Sequence, residues 1–184
     1  PRKRIVRYHE YDKVNQAQLI ILCSLNNLTE FERRYTIKLY NEIIGGSANS
    51  ILFENVREKH SYCYYVNSSV KAYDNILLIN SGVEQENIDK TIKLVRKTLK
   101  SINEGKLKEE NIISAKNTII SGIKSASDEP MGIINTYFSK VLVGTPNEEE
   151  RIANFNKITK EDIVKVSKKV TLHTILTLES KEDE

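Results

Sequence analysis

Hydrophobic and polar positions divide the chain into segments of two periods. Gln16-Ala17-Gln18-Leu19-Ile20-Ile21-Leu22-Cys23-Ser24 is apolar enough for a strand at the centre of a sheet, and Arg4-Ile5-Val6-Arg7-Tyr8 alternates like a short edge strand. Thr29-Glu30-Phe31-Glu32 is a capping box, so a helix starts there and runs to Ile44 with Tyr35, Leu39 and Ile43 on one stripe. Gly45-Gly46 ends it by supplying the positive φ that a residue just past a helix favours. Ser50 to Lys59 forms a short helix with Leu52, Phe53 and Val56 apolar, and Tyr62 to Val70 a strand. On that strand Tyr62, Tyr64 and Val66 share one face, and Cys63, Tyr65 and Asn67 the other. Tyr73-Asp74-Asn75 turns the chain into Ile76 to Ser81, an antiparallel hairpin that Gly82 breaks.

From Gln85 to Glu104, apolar residues at Ile88, Ile92, Val95, Leu99 and Ile102 make the clearest amphipathic helix, with Gly105 just beyond its end. Lys108 to about Ala126 repeats the pattern at Ile112, Ala115, Ile119 and Gly122, where small residues suggest a close neighbour. Pro130 opens another helix with Ile133, Ile134, Tyr137, Phe138 and Val141 inside, and Gly144-Thr145-Pro146 stops it. A short helix over Glu148 to Asn154, a capped helix from Thr159 and a strand from Leu172 to Glu179 complete the order. The class is α+β, an α/β sandwich: an antiparallel sheet with helices mainly on one face and no βαβ alternation. Residues 1–179 read as a single domain and 180–184 as a frayed tail.

At 184 residues, such a domain buries roughly 70% of the surface of its unfolded form. A hydrophobic fraction of 39% and a charged fraction of 29% put it outside the disordered class. No apolar run approaches the ~20 residues of a membrane span, and the first residues lack a signal-peptide core. The two cysteines, Cys23 and Cys63, lie in apolar strand-like runs and suit free thiols, so the expected location is cytoplasmic or another reducing compartment. The net charge of +3 arises from interleaved acids and bases and is no footprint of a nucleic-acid binder.

The chemistry begins with exclusions. His9, His60 and His173 stand far apart, and no H-E-x-x-H or H-x-x-E-H occurs, so no metal site is expected in this chain. No G-x-S-x-G, P-loop or dinucleotide fingerprint is present. What stands out is Ile43 to Val66, where a glycine pair, a short helix, a charge cluster and a run of aromatics follow one another. Taken singly, each has a plain reading: Gly45-Gly46 as helix punctuation, Arg57-Glu58-Lys59 as a solvated helix end, and the tyrosines as packing.

Together, Asn41-Glu42-Ile43-Ile44-Gly45-Gly46, Ser50-Ile51-Leu52-Phe53-Glu54-Asn55-Val56-Arg57-Glu58-Lys59 and Tyr64 resemble the second half-repeat of the insulinase-like zinc peptidases, the group of pitrilysin and the mitochondrial processing peptidase. The family pattern reads L-x-x-I-L-G-G, S-x-L-F-x-x-V-R-E-K, G-L-A-Y-S-V. The resemblance continues through Val14-Asn15-Gln16-Ala17, Ser81-Gly82-Val83, Glu109-Glu110-Asn111 and Ile158-Thr159-Lys160-Glu161-Asp162-Ile163, nearly the whole chain. It departs at His60-Ser61-Tyr62-Cys63, where the family carries R-G-L-A.

The resemblance implies a division of labour. One half supplies zinc ligands and a catalytic glutamate from an inverted H-x-x-E-H motif, and the other, this kind, faces it across a cleft. The zinc is expected in that complementary half, with no cofactor in this chain. Partners implied are an N-terminal zinc-bearing half or a separate zinc-bearing subunit, a peptide substrate, and a second copy of the chain through the half-repeat face; no nucleic acid is expected. Carried over, Tyr64 donates a hydrogen bond to the scissile carbonyl or its tetrahedral oxyanion and Arg57 orients the peptide backbone, with Gly45, Gly46, Tyr62 and Val66 as substrate-binding positions. A phenol donates one directed hydrogen bond, and an arginine brings a fixed charge with several donors. The strand from Tyr62 to Val70 offers an edge for β-addition of a peptide. Two alternatives stay open: a non-catalytic paralogue that serves assembly or peptide holding, and, remotely, a nucleic-acid-binding module suggested by the slightly basic balance and the tyrosines.

Overall fold

The computed structural model describes residues 4–181. Five strands form one sheet in the order β1-β5-β2-β4-β3: β1 Val6–Asp12, β2 Ala17–Leu25, β3 Cys63–Lys71, β4 Ile76–Val83 and β5 Val170–Ser180. β2 lies at the centre because its apolar residues suit both faces. Leu19, Ile21 and Cys23 are fully buried beneath the helices, while Ile20 and Leu22 are half-buried on the other side. Four strands are antiparallel neighbours, as the sequence pattern implies, and β1 adds in parallel to β5 from Val6↔Thr174 to Asp12↔Ser180. No hairpin links these two strands, so nothing forces them antiparallel. The eleven residues of β5 also carry β1 further than its own alternation suggested. Pro1 to Lys3 and residues 182–184 of the expected tail lie outside the described residues.

One continuous helix over residues 30–46 crosses the sheet. Its capping box forms, with the Thr29 amide donating to Glu32 Oε2 at 2.7 Å and the Glu32 amide to Thr29 Oγ1 at 3.2 Å. Its centre, α1 (Ile37–Asn41), is regular, and wider π-turns flank it at Glu32–Thr36 and Glu42–Gly46. The expected stripe of Tyr35, Leu39 and Ile43 is buried, and so are Ile37, Tyr40 and Ile44, because the helix is covered on more than one side. Glu32 is itself buried, where Lys169 Nζ meets it at 2.6 Å. Burial alone would raise its carboxyl, but hydrogen bonds from Lys169 and Thr29 outweigh that and hold it below the ordinary range.

The remaining helices are α2 Ile88–Asn103, α3 Glu109–Asp128, α4 Pro130–Val143, α5 Glu148–Lys157 and α6 Lys160–Ser167. α2 buries Ile88, Ile92, Val95 and Ile102 as its period requires, and Gly105 beyond it has φ 76°. α6 opens on a second capping box, Thr159 with Asp162. Two expectations fail. Gly122 in α3 has no heavy atom within 4 Å of where a Cβ would stand, so it marks no close approach. In α4, Ile133, Ile134, Tyr137, Phe138 and Val141 are all exposed, because the helix turns its small and polar side to the rest of the molecule. No described helix is long and apolar enough to cross a membrane.

Candidate functional site

The stretch from Ile43 to Val66 is built as three pieces against β3 and β4. The first is the end of the 30–46 helix. Gly45 does not have the positive φ expected of it; among the described glycines that belongs to Gly105 and Gly144. Gly45 is needed for space, since a Cβ there would fall 2.7 Å from Ser68 Oγ and 2.9 Å from the Ser68 backbone nitrogen. The helix thus rests directly on β3. At Gly46 a Cβ would meet the Glu42 carboxylate, and this glycine borders a cleft beneath α4.

The second piece is the π-wound segment Phe53–Glu58, anchored by fully buried Val56. Arg57 points outward, its guanidinium 4.8 Å from the centre of the Phe53 ring. The turn that follows is closed by Ser61 N to Arg57 O and Tyr62 N to Val56 O, both 3.0 Å. Ser61 stands where the family pattern has glycine, and its φ is +52°, a conformation that favours glycine.

The third piece is the start of β3, at an edge of the sheet. Here the ladder slips: Cys63 pairs with Val83 and Tyr65 with Gly82, leaving Tyr64 as the extra residue of a bulge. Strict alternation therefore fails, and Tyr64 does not share the buried face of Val66. Tyr64 is 55% exposed and donates its phenolic proton to the Glu84 carboxylate just past β4. Gly82 does not break β4 but lies inside it and seats the Tyr65 ring; a Cβ there would fall 2.5 Å from Tyr65 Cε1.

Arg57 and Tyr64 line one shallow depression of about 340 Å³ with Glu58, Ser61 and Cys63. The other expected positions lie elsewhere. Val66 is 4% exposed, in the core. Tyr62 packs beside the His60 ring at 5.1 Å, with Lys90 Nζ of α2 5.6 Å from its centre. Glu84 was not anticipated; its place directly after Ser81-Gly82-Val83 was the available signal. Burial raises the Cys63 thiol, with the Ser81 hydroxyl and the Arg57 charge pulling the other way, and burial pushes Cys23 up to about 12. Both stay protonated at neutral pH and are poor nucleophiles. Among the described residues, no group of three or more His, Cys, Asp or Glu side chains could hold a metal ion.

Comparison with known proteins gives this geometry a context. The family model described as "Peptidase M16 inactive domain" matches residues 1–119, which include the whole of this stretch. The chain belongs to this family. It is 28% identical over 147 residues to the "Probable inactive metalloprotease YmfF" of Bacillus subtilis, covering 79% of this chain and 34% of that protein. Among solved structures, a conserved protein from Enterococcus faecalis V583 superposes with a TM-score of 0.91 at 26% identity, over 100% of this chain and 44% of its own. A peptidase M16 inactive domain from Pseudomonas fluorescens gives 0.79 at 18% identity, over 98% and 45%, and speaks to the fold alone. The domain thus spans about a third of this curated relative and under half of these solved chains.

Proposed function

We propose that this domain is one wall of a peptide-binding cleft, completed by a zinc-bearing half, and that Arg57 and Tyr64 are its contribution to the chemistry. The supporting observation is the bulge at Tyr64, which turns its phenol out to the surface beside Arg57 on the sheet edge. On this reading the zinc sits in the other half, where it would polarise the scissile bond and its water. Within this chain, the phenol donates a hydrogen bond to the carbonyl oxygen as negative charge grows on it. The arginine holds neighbouring carbonyls of an extended peptide, and its stacking on Phe53 limits the freedom lost on binding. Glu84 keeps the phenol oriented until substrate takes its place.

Arg57 is tested by equilibrium binding of a fluorescent extended peptide to the assembled protein. Arg57→Ala should weaken binding about tenfold or more, with Arg57→Lys recovering only part. Equal binding by all three forms contradicts the assignment. A second reading is favoured by one observation, that the Bacillus subtilis relative is described as a probable inactive metalloprotease. On that reading the domain holds peptide or partner without catalysis. Peptide would then bind with the same dependence on Arg57, and no cleavage would follow on adding zinc.

A further inference from the structure

The cleft beneath α4 has a roof tied down at both ends. At the start of the helix, Gly132 sits against the Ala126 carbonyl of α3 and leaves no room for a Cβ. At its end, Arg34 donates to the Val143 and Gly144 carbonyls at 2.7 and 3.1 Å, a cation where the helix dipole favours one. Between these ties about 740 Å³ stays open, with Ser68, Ser69 and Val70 of β3 in its lining. That is room for a short peptide segment rather than a single ion.

The charges around the cleft are unbalanced. Three of the side chains lining it are basic, Arg34, Lys38 and Arg151, and one is acidic, Glu42. Arg34 also pairs with Glu30. Among the described residues, Lys38 and Arg151 have neither an ion-pair partner nor a side-chain hydrogen bond. Burial holds the Lys38 ammonium below its ordinary value although one side of it meets water, and the charges of Arg151 and Arg34 lower it further. Cations gathered at a cleft with no anion between them are a place for one. Glu42, four residues on from Lys38, does not supply it: its Oε1 is buried without a hydrogen-bond partner, as is Asn41 Oδ1. Glycine at 46 keeps this end open, because a Cβ there would take the space beside the Glu42 carboxylate. The cleft thus offers two free cations and two unmet acceptors. A phosphate answers only the cations, whereas the carboxyl end of a peptide, an anion preceded by N–H donors, answers both.

The cleft also shares a strand with the depression at Arg57 and Tyr64. Tyr64 stands five residues before Ser69 on β3, about 17 Å at ~3.4 Å per residue. A peptide extended along this edge strand with its end in the cleft presents to Arg57 and Tyr64 a bond about five residues from that end.

We infer that the cleft beneath α4 binds the free C-terminus of a peptide, its carboxylate between Lys38 and Arg151 and its preceding N–H groups toward Asn41 and Glu42. This rests on the reading of the domain as a peptide-binding wall and adds which end of the peptide the wall holds.

The test uses the native protein that contains this domain and a peptide of about eight residues, of alanine and leucine, carrying fluorescein at its N-terminus. Fluorescence anisotropy compares the free acid with the C-terminal amide, a comparison that needs no variant. The acid should bind at least tenfold more tightly. Lys38→Met/Arg151→Met should remove that preference while leaving the amide's affinity and the thermal midpoint unchanged, and Lys38→Arg should retain it. Equal binding of acid and amide, with Arg57→Ala still weakening both, overturns this inference alone. A preference that survives in a folded double variant places the carboxylate elsewhere and overturns it too. Displacement of the peptide by inorganic phosphate as effective as by unlabelled peptide assigns a general anion site, and equally effective displacement by free leucine assigns a free amino acid; either result contradicts the inference. Binding of both peptides that ignores Arg57→Ala, or no binding of either, removes the reading of the wall itself.

Discussion

Replacing Gly45 by alanine probes how the site is supported. The added methyl would lie 2.7 Å from Ser68 Oγ and 2.9 Å from both Ser68 Cβ and the Ser68 backbone nitrogen, where ordinary contacts begin at 3.4 Å. The 30–46 helix must therefore move off β3 by about 0.5 to 0.7 Å, the difference between those distances. The Ser68 hydroxyl can rotate away, but the backbone nitrogen cannot. Overpacking of this kind costs about 1 to 3 kcal/mol, and for a domain of this size a midpoint loss of about 2 kcal/mol lowers Tm by roughly 4 to 8 °C. Gly122→Ala supplies the internal comparison. With open space around it, the same substitution should stabilise α3 by about 0.5 to 1 kcal/mol through helix propensity. Urea unfolding of wild type, both single variants and Gly45→Ala/Ser68→Gly measures the set. The double variant should recover only part of the loss, since the Ser68 nitrogen remains. The reasoning fails if Gly45→Ala is as stable as wild type, or if both alanines shift stability in the same direction.

Ser61→Gly relieves a φ of +52° and should raise stability by about 0.5 to 1 kcal/mol in the same unfolding assay. The buried Glu32 carboxylate, whose pKa lies below its unfolded value, contributes stability that is complete above the ordinary carboxylate pKa and lost as pH falls through the folded one. Glu32→Gln, which strands a largely buried Lys169, should cost about 2 kcal/mol at pH 7. The gap to wild type should close as both are acidified, and a gap constant with pH would contradict this.

The central fold was legible where local period and global role agree. β2, the β3–β4 hairpin and α2 have unambiguous periods, and both capping boxes form as their residues require. α4 misled because a helix that is apolar almost all round has the same stripe whether its partner lies inside the chain or beyond it. The bulge at Tyr64 was invisible because alternation does not say where a ladder slips; only Gly82, seating the Tyr65 ring, betrays it. Gly45 was read as conformational when its role is contact, a distinction that needs the position of Ser68, 23 residues on. Arg57 and Tyr64 stood out through their places in a matched motif, and the closed turn at Ser61 is what brings them to one depression. Glu84 is joined to Tyr64 only by the hairpin and carried no motif of its own.

The most direct measurement is the turnover of an extended peptide, with zinc supplied, by the native protein that contains this domain and carries Tyr64→Phe. The substitution removes one oxygen from an exposed side chain and leaves the bulge intact. With the phenol as oxyanion donor, kcat should fall about 10² to 10³-fold, or roughly 2.7 to 4 kcal/mol, with KM little changed. Tyr65→Phe, whose hydroxyl bonds Gln18 instead, should turn over normally. A Tyr64→Phe assembly that cleaves at the wild-type rate would contradict the account.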